Sequence, residues 1–190
     1  MTSPKPLQKP TPEQLLAANG QTVPDVIAPR LKVIFCGINP GLYTAAVGHH
    51  FARPGNRFWK ALFNSGFTPG LLAPCEEHKL LEYGCGITNI VERATGSAAE
   101  LSPQELSAGA RRLEIKVAEY APQWLAVLGI SAYRTAFAQP KAILGVQDKT
   151  IGGANVWVLP NPSGLNAHFH PPELARLFHQ FRLAVEASAD

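Results

Sequence analysis

The sequence predicts an α/β fold, a single-domain three-layer α/β/α sandwich built on a short, mainly parallel sheet. Three observations lead there. Short apolar runs alternate with stretches of helical periodicity along the chain. Two of those runs are each followed by an asparagine–proline loop, as expected where strands deliver their carboxyl ends to a ligand crevice. With 190 residues, of which 46% are hydrophobic and 16% charged, the chain can bury one sizeable core.

The elements follow in order. Residues 1–10 hold three prolines and two lysines and read as a disordered basic tail. Thr11-Pro12-Glu13-Gln14 resembles a helix start, with Thr11 as N-cap, Pro12 at the first helical position and Gln14 closing the capping box. Gly20 ends that short helix, so residues 1–22 form a disordered or partly helical extension and the domain proper spans 23–190. A first strand is expected over 31–36 and a helix over 54–64, with Phe58, Leu62 and Phe63 inward and Gly66 at its end. A further helix covers 76–83 and a short strand 87–91. Ser102-Pro103-Gln104-Glu105 is a strong capping-box signature, followed by Leu106, Ala110, Leu113, Val117 and Tyr120 at helical spacing. A strand at 124–128, a helix at 131–138 and a strand at 155–159 come next. Leu174, Leu177, Phe178, Phe181 and Val185 mark a C-terminal amphipathic helix.

Composition excludes several classes. A formal charge of +3 permits nucleic-acid binding without demonstrating it. Cys36, Cys75 and Cys85 match neither a zinc pair nor a cluster-binding run, and an odd count argues against a disulfide framework. Buried reduced thiols are the simplest reading and suit a cytoplasmic protein. No apolar stretch approaches a membrane span, and no signal-peptide pattern opens the chain. His168-Phe169-His170 lacks a third ligand at sensible spacing, so no metal and no cofactor are expected.

Three motifs carry the chemistry: Gly37-Ile38-Asn39-Pro40-Gly41, Pro54-Gly55-Asn56-Arg57-Phe58-Trp59-Lys60 and Asn161-Pro162-Ser163-Gly164-Leu165. Each alone is weak, since Asn-Pro-Gly is also good turn chemistry. Together, in this order and spacing, they resemble the mismatch-specific uracil/thymine-DNA glycosylase family from about Val23 to the C-terminal helix. Gly48-His49-His50-Phe51 and Asn89-Ile90-Val91-Glu92-Arg93 resemble the thymine-DNA glycosylase branch, and the loop from Asn161 to Leu165 resembles the bacterial mismatch-specific uracil glycosylases.

The resemblance implies an enzyme of base-excision repair that flips uracil, or another damaged or mismatched pyrimidine, out of DNA and hydrolyses its N-glycosidic bond. Its partner is DNA, double-stranded with uracil mismatches, and it acts as a monomer located in the cytoplasm, or at the nucleoid in a bacterium. Asn39 becomes the water holder. Ile38 and Phe51 offer backbone N–H groups to the pyrimidine carbonyls, and the Phe51 ring stacks on the base, although a lone phenylalanine is more often core. Thr44 touches the sugar or water, unless it is only a loop hydroxyl, and Asn161 contacts the phosphate or helps shape the pocket. Gly41, Arg53, Arg57, Ser163, Gly164, Leu165 and Asn166 contact DNA, with Leu165 entering the gap left by the flipped nucleotide and Lys60 a further phosphate contact. Ala167 stands near where the family often places an arginine. Glu92, after a short strand, is a second catalytic candidate; an ion pair with Arg93 is the plainer reading. Neither asparagine loop contains a lysine for a Schiff base, which implies a monofunctional enzyme. Two other classes remain open: a non-catalytic lesion-binding protein and a hydrolase of free nucleosides.

Overall fold

A computed structural model describes residues 8–188. The part of the basic tail over 1–7 lies outside the described residues. Helix α1 (Pro12–Ala17) carries the reciprocal capping box, with Thr11 Oγ1 accepting from the Gln14 N–H at 3.3 Å and Gln14 Oε1 accepting from the Thr11 N–H at 2.8 Å. Ala18, just behind it, is buried with Val23, Ala45 and Ala94.

The rest of the chain alternates. Strand β1 (Val33–Gly37) leads into helix α2 (Leu42–Val47) and then α3 (Phe58–Ser65). A 3-10 helix, Pro74–Tyr83, precedes β2 (Cys85–Asn89). Helix α4 (Pro103–Tyr120) leads to β3 (Trp124–Leu128), α5 (Ile130–Ala136), β4 (Gly145–Ile151), β5 (Ala154–Leu159) and α6 (Pro171–Ala187). The sheet order is β2-β1-β3-β5-β4, parallel throughout except for the antiparallel β4 at one edge.

Strand alternation divides the core into two layers. Val33 and Phe35 of β1, with Trp124, Ala126 and Leu128 of β3, face α3 and α6, where Phe58, Phe178 and Phe181 pack around Phe35. Ile34, Cys36, Leu125 and Val127 face α4 and α5, against Leu113, Val117 and Tyr133. This is the three-layer sandwich, and no helix among the described residues is long and apolar enough to cross a membrane. Burial pushes the Cys85 thiol up to about 12 and the Cys36 thiol higher still, so both act as small core hydrophobes.

Several boundaries differ from the sequence expectation for local reasons. The expected helix over 54–64 begins only at Phe58, because Gly55 sits at φ +86° and Asn56 Oδ1 accepts from the Phe58 N–H at 2.9 Å. Phe63 faces outward at 41% exposure, and Trp59 and Ala61 fill the core in its place. The expected strand over 87–91 lies two residues earlier; Ile90 and Val91 leave the ladder but still donate to the carbonyls of Gly37 and Ile38, at 2.9 Å each. Helix α2 and strand β4 carry no strong periodicity and go unforeseen. The β4–β5 hairpin turns through Gly152 and Gly153, both at positive φ, a two-glycine turn that the sequence displays openly.

Candidate active site

The carboxyl ends of β1, β2, β3 and β5 surround one cleft of about 360 Å³. Asn39 comes from β1, Asn89 from β2, Leu128 from β3 and Asn161 from β5. This is where a parallel sheet places ligands. The two asparagine–proline loops do face one another across it.

Asn39 is the best-defined group. Its Nδ2 donates to the Arg93 carbonyl at 3.0 Å and to Thr95 Oγ1 at 2.7 Å, while Thr95 Oγ1 donates onward to the Ser97 carbonyl at 2.8 Å. With the threonine proton used, both groups facing Asn39 are acceptors. The nitrogen must therefore sit on that side, which leaves Oδ1, without a hydrogen-bond partner among the described residues, as the acceptor Asn39 offers to the cleft it lines. Thr95 is 1% exposed, so its hydroxyl is a fixed part of the site.

Phe51 adopts φ +53°, an uncommon conformation for a residue with a side chain, and its ring stacks on Phe58 at 4.0 Å. Gly37 lies beneath it. A Cβ on Gly37 would stand 2.5 Å from Asn89 Oδ1 and 3.4 Å from the Phe51 ring, so only glycine lets the two groups converge. Neither the Phe51 nor the Ile38 N–H has a hydrogen-bond partner among the described residues. Thr44, on α2, is buried and lines the cleft, and Arg53 brings a cation to its rim.

The second loop is held by the middle motif. The Arg57 N–H donates to the Pro162 carbonyl at 2.9 Å, and its guanidinium donates to the carbonyls of Asn166 at 3.1 Å, Gly164 at 3.3 Å and Phe169. Gly164 presses so close to Gly55 that an added Cβ would sit 2.5 Å from the Gly55 carbonyl oxygen. Asn161 Oδ1 accepts from the Ser163 N–H, and Asn166 Nδ2 donates to the Asn161 carbonyl, both at 3.0 Å. Leu165, at the tip, is 73% exposed, far too open for a core leucine. Ser163, Leu165 and Asn166 line the cleft, and Gly41 caps α2 at its opposite side.

Two expectations require correction. Arg57 faces backbone carbonyls of the second loop, so its guanidinium is a loop anchor in place of the expected DNA contact. Glu92 does not line the cleft. Because β2 ends early, Glu92 projects toward α4, where its carboxylate lies 3.4 Å from Lys116, itself 2.6 Å from Asp25. Arg93 pairs instead with Glu105 at 2.7 Å. Lys60, on α3, is exposed and lies outside the cleft lining.

Sequence reasoning missed Asn89 and Thr95. Asn89 is 6% exposed, lines the cleft, and its amide has no hydrogen-bond partner among the described residues. The signal was available: a polar residue ending a buried strand beside Asn39 belongs to the same crevice. Thr95 gave no signal, because its role depends on its contact with Asn39, 56 residues away in sequence. Among the described residues no group of three or more His, Cys, Asp and Glu could hold a metal ion.

The Arg93 guanidinium, helped by the Ser102 N–H, pulls the Glu105 carboxyl down to about 2. A carboxyl depressed on folding stabilises the folded chain above its ordinary pKa, and that contribution fades as pH falls through about 2. Glu105→Gln should therefore lower Tm modestly at pH 6, and the difference from wild type should shrink between pH ~4.5 and ~2. A Tm difference that stays constant across that range would remove the pair from the account.

A sequence profile of the uracil DNA glycosylase superfamily matches residues 24–182. In structure, the chain resembles a candidate uracil DNA glycosylase from Methanosarcina acetivorans, solved by solution NMR, with a TM-score of 0.59 and 16% identity over 86% of this chain and 98% of that one. At that identity the likeness bears on the fold alone. The profile match covers most of the chain and spans all three motifs and the cleft they build, and on that ground the chain belongs to the uracil DNA glycosylase superfamily.

Proposed function

We propose that this chain is a monofunctional glycosylase that flips uracil out of mismatched duplex DNA, G·U above all, and hydrolyses its bond to deoxyribose. Superfamily membership supports a DNA glycosylase hydrolase. The observation that carries the mechanism is the locked amide of Asn39, whose Oδ1 is free on the cleft side. An amide oxygen orients water but takes a proton poorly, so the protein works mainly by stabilising the departing base.

The C1′–N1 bond breaks with its electron pair leaving on the base, and the sugar becomes oxocarbenium-like. The N–H groups of Ile38 and Phe51 meet the charge gathering on the pyrimidine oxygens. The Asn89 amide is suited to read the adjacent carbonyl and ring N–H of uracil, and Phe51 offers the stacking face. Water held at Asn39 adds to C1′ and sheds its proton to the departing base or to solvent. No lysine lines the cleft among the described residues, which supports hydrolysis over a Schiff base. The exposed Leu165 favours action on polymer: a hydrolase of free nucleosides has no gap to fill.

The test is base release from G·U duplex, A·U duplex, single strand and free deoxyuridine. Release from duplex with none from deoxyuridine supports the proposal. Binding of mismatched duplex without release identifies a lesion-binding protein, and turnover of deoxyuridine identifies a nucleoside hydrolase. Activity should survive EDTA; inactivation reversed by zinc would contradict the mechanism. Affinity should fall with salt at a log–log slope of about −0.9 per phosphate contacted.

Thr95→Val should slow base release by about tenfold, ~1.4 kcal/mol, because the Asn39 amide loses one of its two fixing acceptors. Thr95→Ser should restore most of the rate. Single-turnover rates for both variants check this, and a wild-type rate for Thr95→Val would show that the orientation of Asn39 is set elsewhere.

A further inference from the structure

Among the buried titratable groups that the mechanism above does not use is the carboxyl of Glu77. Glu77, in the 3-10 helix before β2, is 3% exposed and lies outside the cleft lining. Both of its carboxyl oxygens are engaged by one loop. Oε2 accepts from the His50 N–H at 2.7 Å, and Oε1 lies 2.9 Å from His49 Nδ1, which must carry the proton since a carboxylate only accepts. A buried carboxyl is costly unless satisfied, and here the satisfying groups belong to the two residues just before Phe51.

The same short loop is gripped from two other directions. The Trp59 indole N–H donates to the His50 carbonyl at 3.2 Å. The His50 ring, 1% exposed, places Nε2 2.9 Å from the Pro24 carbonyl and so carries its proton there. These contacts fix the peptide plane between His50 and Phe51. That peptide is trans, so its C=O and N–H point opposite ways. With the carbonyl held by Trp59 on the core side, the Phe51 N–H is directed away from the core, and it has no partner among the described residues. The positive φ of Phe51 then turns the ring back onto Phe58 and over Gly37. Such a conformation persists only where its surroundings over-determine it.

The geometry points to Glu77 as a positioning residue for the leaving base: it holds the loop Gly48-His49-His50-Phe51 so that the Phe51 N–H and ring face the flipped pyrimidine. This rests on the glycosylase reading above, and it adds a group that never touches substrate. The expected signature is a loss in the chemical step with little loss in DNA affinity, because Glu77 lies outside the cleft and bonds only to His49 and His50 of that loop. A purely structural role would lower stability without separating the two.

The test uses the full chain with 4-fluorophenylalanine at position 51, with Tm recorded to confirm that each variant is folded at the assay temperature. Glu77→Ala removes both acceptors. Glu77→Gln keeps one acceptor for the His50 N–H but sets an NH2 group against His49 Nδ1–H. Single-turnover base release from G·U duplex should fall about tenfold or more in Glu77→Ala and less in Glu77→Gln. The Kd for duplex bearing uncleavable 2′-fluorodeoxyuridine should stay within about twofold. The fluorine resonance should shift and broaden in step with the rate. A folded Glu77→Ala variant with a wild-type rate overturns the proposal, as does a lowered rate with an unmoved resonance. If Glu77→Ala does not fold, Glu77→Gln is judged on the same rate and resonance. A wild-type chain that releases no uracil sinks the glycosylase reading instead, and the resonance then decides alone whether Glu77 holds Phe51 in place.

Discussion

Asn39→Ala should slow base release from G·U duplex by about 100- to 1,000-fold, roughly 2.7–4 kcal/mol in the barrier, while leaving duplex affinity within a few-fold of wild type. Both protons of the Asn39 amide are committed to Arg93 and Thr95, so the free Oδ1 is a preset acceptor at the carboxyl end of β1. Alanine removes that acceptor and leaves the cleft walls in place, because Gly37, Phe51 and Asn89 are fixed by the sheet and by the core. Binding energy from phosphates and from the wedge is realised before chemistry and survives. Single-turnover rates and a binding isotherm separate the two quantities. A rate near wild type would take Asn39 out of the mechanism.

Leu165→Ala should weaken action on duplex by about 1–3 kcal/mol at ~25 cal/mol per Å², and action on single-stranded uracil DNA far less. Extrusion leaves a gap in the stack that drives the nucleotide back, and an apolar side chain in that gap opposes return. Leu165 is available for this because its loop is rigid while its side chain is open: Arg57 and Gly55 clamp the backbone on either side of it, and 73% of the residue is exposed. G·U duplex should suffer less than A·U duplex, whose uracil is harder to extrude. Equal losses on both duplexes and on single strand would mean that Leu165 supports the pocket and is no wedge.

The sheet was legible where burial imposed a continuous apolar run. The strand at 124–128 was read to the residue, and β1 and β5 to within two residues. The edge strand β4 was not, because half of its residues face solvent and its sequence, Gly-Val-Gln-Asp-Lys-Thr-Ile, has no apolar run. Helix α2 escaped because it is six residues long and its N-cap is a glycine with no side-chain bond. At the site, the loops were legible because asparagine, proline and glycine announce special backbone. Their partners were not. Thr95 and Glu77 act through contacts with segments 27 to 56 residues away, and neither residue type is distinctive in sequence. Arg57 shows the opposite failure: a conspicuous cation in a motif invites a phosphate, yet three carbonyls of the neighbouring loop already occupy it. Glu92 fails for a third reason. A strand ending two residues early moves the following side chain from the cleft to the α4 side of the sheet.

The most direct test of the account is the fate of an end-labelled G·U duplex incubated with the wild-type chain in EDTA, with free base followed by mass spectrometry and strands resolved before and after alkali. One uracil should be released per duplex, with an intact strand before alkali and cleavage at the uracil position after it. No free uracil and no alkali-labile site would contradict the claim that this cleft hydrolyses the glycosidic bond.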